Sequence, residues 1–219
     1  MSQAAYQRVL KEITIAAEAA GRSHKDITLL AVTKGHSWPQ TTWLYDAGQR
    51  AFGENRLTEA FEKMESAPPD CRWHFIGTLQ ANKVRKAIGK FALIHSVDSL
   101  ELAQKISECS LEAGTKTSIL LQANTSGEAS KHGLSPDAWK RCFDEVITLK
   151  GIYVQGLMTM APLTEDSAAI QRCFAGLRYL RDALDPSLPH LSMGMSHDFP
   201  LAIAEGATLV RIGTALFTY

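Results

Sequence analysis

The chain has 219 residues, of which 45% are hydrophobic and 21% charged, as in an ordinary globular domain with a sizeable core. Basic and acidic residues both number 23, and the resulting net charge of +0 disfavours a nucleic-acid binder, which needs a basic excess. The four cysteines form no C-x-x-C pair, so we expect reduced thiols rather than a disulfide framework or a zinc site.

The first 21 residues predict an amphipathic helix that precedes the first strand. Val9, Ile13 and Ala17 recur at helical spacing, and charged residues are spread through the segment. A secretory signal peptide has a continuous apolar core, which this segment lacks. The chain also contains no run of about 18 apolar residues, so no membrane span is expected. These features predict a cytoplasmic protein.

Short β-rich runs alternate with longer helical patterns along the rest of the chain. Strands are predicted at 27–33, 50–53, 73–76, 92–97, 117–124, 152–158, 190–193 and 208–212. Helices are predicted between them at 38–47, 56–65, 100–113, 137–148, 167–183 and 199–204.

Several strands, such as ITLLAV and TSILLQA, are almost entirely apolar, which is typical of parallel strands covered on both faces. Strand–helix units that follow one another without a linker predict an α/β protein with a single (β/α)₈ TIM-type barrel and an extra N-terminal helix. Residues 1–219 would then form one domain. An open, doubly wound parallel sheet is the alternative architecture.

Lys34 follows the first predicted strand, where a barrel of this type carries its functional groups. By alternation it shares a face with Val32 and Leu30. If that face lines the barrel, partial burial would favour the neutral amine that Schiff-base formation requires. A lysine that extends its ammonium group into solvent is an equally good interpretation.

Arg211 lies within the last predicted strand, in phase with Leu209. A buried arginine keeps its charge and needs an anion or strong hydrogen-bond acceptors. One interpretation is an internal salt bridge, for instance to Glu54. The other is a contact with a ligand.

The loops after the seventh and eighth strands form the usual phosphate site of TIM-type barrels. Here they contain Gly194, Ser196, Gly213 and Thr214. Glycines allow backbone N–H groups to approach an anion closely, and the Ser196 hydroxyl could both cap the next helix and bind phosphate. The sequence therefore predicts an anion site at this end of the barrel.

Other chemistries lack support in the sequence. No motif of a P-loop, a zinc protease or a serine hydrolase occurs. The seven histidines are dispersed, and we interpret His74, His95 and His132 as satisfied core or loop residues rather than metal ligands. No metal site is expected.

Seven segments, in this order, resemble the pyridoxal phosphate homeostasis protein family. They are LLAVTKGHS, FGENRLTEAFEK, WHFIGTLQANKV, IHSVDS, LLQANTSGEASKHG, GLMTMAP and LSMGMSHDFPLAIAEGATLVRIGTALF. The resemblance runs from the first strand to the end of the chain. It implies the single barrel of the alanine racemase N-terminal domain and pyridoxal 5′-phosphate (PLP) as the cofactor.

The resemblance also implies a role for each site residue. Lys34 would hold the cofactor as a Schiff base, and Ser196, Gly213 and Thr214 would hold its phosphate, with Asn55 nearby. Arg211 would face the pyridine nitrogen. Lys131 matches a second lysine suspected of helping cofactor exchange.

The function implied by the resemblance is that of a carrier or buffer of PLP, which regulates vitamin B6 and amino-acid homeostasis without strong catalytic activity. Apo forms of PLP-dependent enzymes are candidate partners, and a monomer is expected. The alternative is an amino-acid racemase of the alanine racemase type. That enzyme takes its second base from a further domain, for which this chain has no residues beyond the barrel. A cofactor-free Schiff-base aldolase that uses Lys34 is a third hypothesis.

Overall fold

The computed structural model describes residues 3–128 and 131–217, and within this part of the chain eight parallel strands form a closed barrel. The strands are β1 (Thr28–Val32), β2 (Ala51–Glu54), β3 (Arg72–Phe75), β4 (Leu93–Val97), β5 (Thr117–Gln122), β6 (Ile152–Met158), β7 (His190–Ser192) and β8 (Leu209–Ile212). Each strand pairs with the next, and β8 pairs with β1 through the register Leu30–Arg211. This closure confirms the TIM-type barrel and excludes the open sheet.

The helices surround the barrel. They are α1 (Gln3–Ala19), α2 (Trp38–Asp46), α3 (Leu57–Ser66), α4 (Val84–Ala87), α5 (Leu100–Glu112), α6 (Pro136–Ile147), α7 (Ser167–Leu184), α8 (Phe199–Ala204) and α9 (Thr214–Phe217). Side-chain caps fix where several of them begin, because Ser99 and Ser135 accept hydrogen bonds from the N–H groups of Leu102 and Ala138. No helix of the described ranges is long and apolar enough to cross a membrane.

The predicted elements are confirmed, with boundaries that differ by at most two residues. One shift matters for the site: β1 ends at Val32, so Thr33 and Lys34 lie beyond the strand. The sequence patterns did not indicate the four-residue helices α4 and α9. Helices this short leave too little periodicity to be recognised in a sequence.

Alternate residues of each strand face the helices or the barrel interior. Outward side chains form the main apolar core under the helices, with Phe52, Ile94 and Ile119 fully buried. The interior holds a small apolar cluster of Leu93, Leu120, Met158 and Leu209. It also holds polar side chains, which is unusual for a barrel of this type, whose interior layers are normally filled by branched apolar residues.

Candidate functional site

A cavity of about 540 Å³ opens at the carboxyl ends of the strands. All six cofactor residues predicted from the sequence line it, namely Lys34, Asn55, Ser196, Arg211, Gly213 and Thr214. Its volume is within the range of small-molecule sites, roughly 300–1,000 Å³. None of its described lining residues is acidic, whereas Lys34, Arg56 and Arg211 are cationic. The cavity therefore favours an anionic ligand.

A second, larger cavity of about 730 Å³ lies at the opposite end of the barrel. Leu10, Ile13 and Asp70 are among its lining residues. Barrels of this type carry their chemistry at the carboxyl ends of the strands, so the smaller cavity is the candidate site.

Lys34 lies in the turn after β1 and is exposed. Of the two interpretations that the sequence left open for Lys34, the structure therefore shows the lysine that extends into solvent, because β1 ends at Val32 and the turn carries the side chain out to the rim. Gly35 makes this turn with a φ of 76°, a conformation that other residues rarely adopt. The Gly35 N–H donates to Glu59 at 3.2 Å, which ties the turn to α3.

A buried ion pair lies next to this turn. Lys63 of α3 contacts the carboxylate of Glu54 at 2.5 Å, and Thr33 donates its hydroxyl to the same carboxylate. Burial raises the pKa of Glu54, although the hydrogen bonds from Lys63 and Thr33 oppose the shift. The suggested salt bridge between Arg211 and Glu54 is therefore wrong, since Glu54 pairs with Lys63. This pair was not predicted from the sequence, because a lysine in a helix that looks exposed gives no signal of a buried partner.

Arg211 is 5% exposed and lines the cavity from the barrel interior. Its guanidinium donates to Ser192 Oγ at 2.7 Å and to the Thr159 carbonyl at 2.9 Å. Burial lowers the pKa of Arg211 to about 10, while Asp198 favours its charged form. The side chain thus remains a cation at neutral pH.

A hydrogen bond joins the loop after β7 to the segment that follows β8. Ser196 Oγ accepts from the Ala215 N–H at 3.2 Å, which brings Ser196 beside Gly213 and Thr214. The expectation that Ser196 caps the next helix is wrong: Asp198 is the residue before α8, and its carboxylate accepts from the Met195 N–H. The Ser196 hydroxyl is instead directed at the last loop.

The loop after β7 is shaped by Gly194, which has a φ of 91°. A Cβ at this position would lie 2.6 Å from Ala202 Cβ, so only glycine fits between the strand and α8. The Gly194 carbonyl accepts from the Arg211 N–H at 2.9 Å. The loop that carries Ser196 is therefore held directly against the strand that carries Arg211.

Asn55 lines the same cavity from the end of β2. Its Oδ1 atom is buried and has no hydrogen-bond partner among the described residues. A buried polar atom without a partner is costly and indicates that a ligand or water completes the site. The unpaired amide oxygen is therefore consistent with a ligand that carries a hydrogen-bond donor.

Lys131 lies apart from this group. It contacts Glu128 at 3.7 Å on the loop after β5, and it is not among the described residues that line the cavity. The cavity instead includes Arg56, Thr78 and His197, for which the sequence predicted no role. Their position after a strand was a partial indication of a role in the site. The polar loops to which they belong have an ordinary composition, which gave no further indication.

His74 and His95 are satisfied core residues, as predicted. They hydrogen-bond each other at 2.9 Å inside the barrel, and no group of residues in the described ranges could hold a metal ion. His132 lies in a loop, 3.7 Å from Asp98.

The chain resembles known proteins over nearly its whole length. The family model of the alanine racemase N-terminal domain matches residues 13–219. A pyridoxal phosphate homeostasis protein of Aquifex aeolicus is 42% identical over 215 residues, which cover 96% of this chain and 94% of that protein. The solved structure of PipY from Synechococcus elongatus, with PLP bound, is 38% identical with a TM-score of 0.82, and covers 94% of this chain and 100% of that chain.

A more distant likeness concerns the fold alone. An alanine racemase of Clostridium difficile superposes with a TM-score of 0.75 at 18% identity. The match covers 96% of this chain but 55% of the racemase.

Proposed function

This chain belongs to the pyridoxal phosphate homeostasis protein family, and we propose that it binds PLP in the cavity at the barrel mouth. In this proposal it buffers the cofactor and takes part in vitamin B6 and amino-acid homeostasis. The observation that supports it most strongly is the convergence of an amine, two hydroxyls and a buried cation on one cavity whose described lining has no acidic residue.

Lys34 is the proposed attachment residue. PLP supplies an aldehyde that condenses with a neutral primary amine and releases water. Lys34 fits this role because it lies on the rim of the cavity, on a turn that Glu59 and Lys63 hold in place. Because Lys34 is exposed, the attached cofactor would remain accessible from solvent, as release to another protein requires.

Ser196, Gly213 and Thr214 are the proposed phosphate ligands. The hydrogen bond between Ser196 and Ala215 joins their two loops, so that two hydroxyls and the backbone at Gly213 border the same side of the cavity. A glycine suits this place because backbone N–H groups can approach an anion closely there. The exposed Arg56 also lies on the rim, where it forms an ion pair with Glu59 at 3.1 Å.

Arg211 is proposed to face the pyridine nitrogen, and Asn55 the remaining polar groups of the ring. A permanent cation disfavours protonation of a neighbouring nitrogen. An unprotonated ring withdraws electrons less strongly, which restrains carbanion chemistry at a bound amino acid. Arg211 thereby suits a protein that holds the cofactor better than a transaminase.

We also propose that the protein has no strong catalytic activity. A racemase of the alanine racemase type needs bases on both faces of its substrate, one of them a tyrosine. The described residues that line the cavity include no tyrosine and no carboxylate. Apo forms of PLP-dependent enzymes are the proposed recipients, and the carrier is proposed to act as a cytoplasmic monomer.

The decisive experiment is an absorbance spectrum of the protein incubated with PLP, followed by borohydride reduction and peptide mapping. We expect a yellow protein whose reduced adduct maps to Lys34, and loss of the adduct in Lys34→Ala. Lys131→Ala is the matched control, since it removes a lysine that does not line the cavity. Protein that stays colourless would contradict the proposal and favour a cofactor-free aldolase, and an adduct on another residue would remove the assignment of Lys34.

A further inference from the structure

A continuous hydrogen-bonded chain crosses the barrel interior behind Arg211. Arg211 Nη1 lies 2.7 Å from Ser192 Oγ, and Ser192 Oγ lies 2.8 Å from His95 Nδ1. His95 Nε2 in turn lies 2.9 Å from His74 Nδ1. These side chains come from β8, β7, β4 and β3, and each is less than 9% exposed.

One direction of this hydrogen-bonded chain gives the Ser192 hydroxyl both a donor and an acceptor. Arg211 is always the donor to Ser192, because a guanidinium has no acceptor. The Ser192 hydroxyl has a single proton, and His95 Nδ1 is its only other partner among the described residues. Donation from Ser192 to His95 Nδ1 therefore avoids a buried, unpaired hydroxyl proton.

This direction also fixes the tautomers of both histidines. With Nδ1 of His95 accepting, its proton is on Nε2 and is donated to Nδ1 of His74. The proton of His74 is then on its own Nε2. A cation at one end polarises every bond of such a chain in the same sense, which strengthens all of them.

Both imidazoles are held neutral by their surroundings. Burial lowers the pKa of His95 well below its usual range, and the positive charge of Arg211 lowers it further. Burial lowers the pKa of His74 to about 4, with added effects from His190 and Arg72. An added proton on either ring would place a second buried cation in the series of hydrogen-bonded side chains that begins at Arg211.

We infer that Ser192 and His95, supported by His74, are positioning residues that hold Arg211 with its remaining N–H groups directed at the cofactor cavity. Arg211 donates two of its five N–H groups to Ser192 and Thr159, so its plane is fixed from two sides. The inference rests on the proposed function, because it gives Arg211 a ligand to face. It adds that the position of the Arg211 charge beside the pyridine ring is fixed by side chains on the far side of the barrel.

The test uses PLP-loaded protein and the pH at which the absorbance of the bound cofactor changes. Ser192→Ala and His95→Leu each interrupt the hydrogen bonds behind Arg211. The Arg211 side chain then moves more freely, and its charge acts less on the ring nitrogen. We expect the midpoint pH of this absorbance change, called the spectral midpoint below, to rise by about one pH unit. We also expect PLP retention to weaken about tenfold. His95→Asn keeps an acceptor near Ser192 and should stay close to the wild-type protein in both measurements.

Ser110→Ala is the matched control, since Ser110 is a buried serine that hydrogen-bonds Thr117 at 2.7 Å outside the barrel interior. It should leave the spectral midpoint unchanged. An unchanged midpoint in both Ser192→Ala and His95→Leu, with the Lys34 adduct intact, would overturn the inference and leave the proposed function standing. Loss of the adduct in the wild-type protein would instead remove the proposed function.

A measurement on the wild-type protein makes the test independent of whether the variants fold. Nitrogen-15 NMR of the imidazoles distinguishes their tautomers. We expect His95 and His74 to be neutral and protonated on Nε2 near neutral pH. A proton on Nδ1 of His95, or a charged ring, would contradict the proposed direction of the hydrogen bonds from Arg211 to His74.

Discussion

Lys63 donates to the backbone carbonyl of Thr33 at 2.7 Å, so a helix side chain holds the residue that precedes Lys34. The same ammonium group pairs with Glu54, and the two side chains are 5% and 0% exposed. Desolvation makes a buried ion pair costly, and the loss of one partner leaves an uncompensated charge. The pair therefore connects the stability of the barrel to the position of the proposed attachment residue.

Replacement of Lys63 by methionine should lower the free energy of unfolding by about 3–5 kcal/mol, because Glu54 would stay buried without its partner. Urea denaturation at neutral pH measures this loss. The double variant Lys63→Met with Glu54→Gln removes both charges and should regain much of the stability. A single Lys63→Met variant as stable as the wild-type protein would show that the pair does not compensate a buried charge.

The phosphate assignment predicts a dependence on the ligand's charge. Ser196→Ala and Thr214→Ala should each weaken PLP retention by roughly 1.5–3 kcal/mol, the usual contribution of a hydrogen bond to a charged group. Neither variant should weaken binding of pyridoxal, which has the same aldehyde and ring but no phosphate. Equilibrium dialysis against both vitamers measures the difference. Equal losses for PLP and pyridoxal, or no loss for either, would remove this assignment.

The sequence predicted the barrel well because its strands and its helices each have a distinct signal. Runs such as 27–33 and 117–124 are apolar on both faces, and the helices between them show a clear helical period. The ends of elements were harder to place, since a strand stops where its ladder of hydrogen bonds stops. Val32 ends β1 although Thr33 is also buried and β-branched.

Residues of the site could be predicted only where their order along the chain determines their place in the barrel. Lys34, Ser196 and Gly213 follow strands, and barrel topology brings such residues to one end. Contacts across the barrel were not predictable, because Lys63 and His95 receive their partners from distant elements. A polar residue at an inward strand position was the one available signal, and in the sequence it is also compatible with a position facing solvent.

Stability should fall in mildly acidic solution because of the buried histidines. The pKa of His74 is lowered to about 4 in the folded protein, against 6.5 for the free side chain. The unfolded chain therefore binds a proton more readily, so the stabilising contribution is complete above pH 6.5 and is lost as the pH falls toward 4. The loss from this group is about 3 kcal/mol. Urea denaturation at a series of pH values measures it.

Comparison of variants isolates this effect from that of the carboxylates. His74→Gln cannot titrate, so its free energy of unfolding should fall less steeply than that of the wild-type protein between pH 6.5 and 4. Ser110→Ala changes stability without changing a titratable group and should give a curve parallel to the wild-type curve. Parallel curves for His74→Gln and the wild-type protein would show that His74 is not held neutral by the fold.

PLP-loaded protein should not racemise alanine. Removal and return of the α-proton on opposite faces needs two bases that are held in place. In the described lining Lys34 is one group that can accept a proton, and the other, His197, is exposed to solvent rather than buried in the cavity. Proton NMR of L-alanine in deuterated water, with chiral chromatography, should show no more exchange or inversion than free PLP causes. Turnover of about 1 s⁻¹ or faster, a rate ordinary for an enzyme, would contradict the carrier proposal. The variant His197→Ala would then decide whether that side chain supplies the second base, since its loss should abolish inversion while leaving the Lys34 adduct intact.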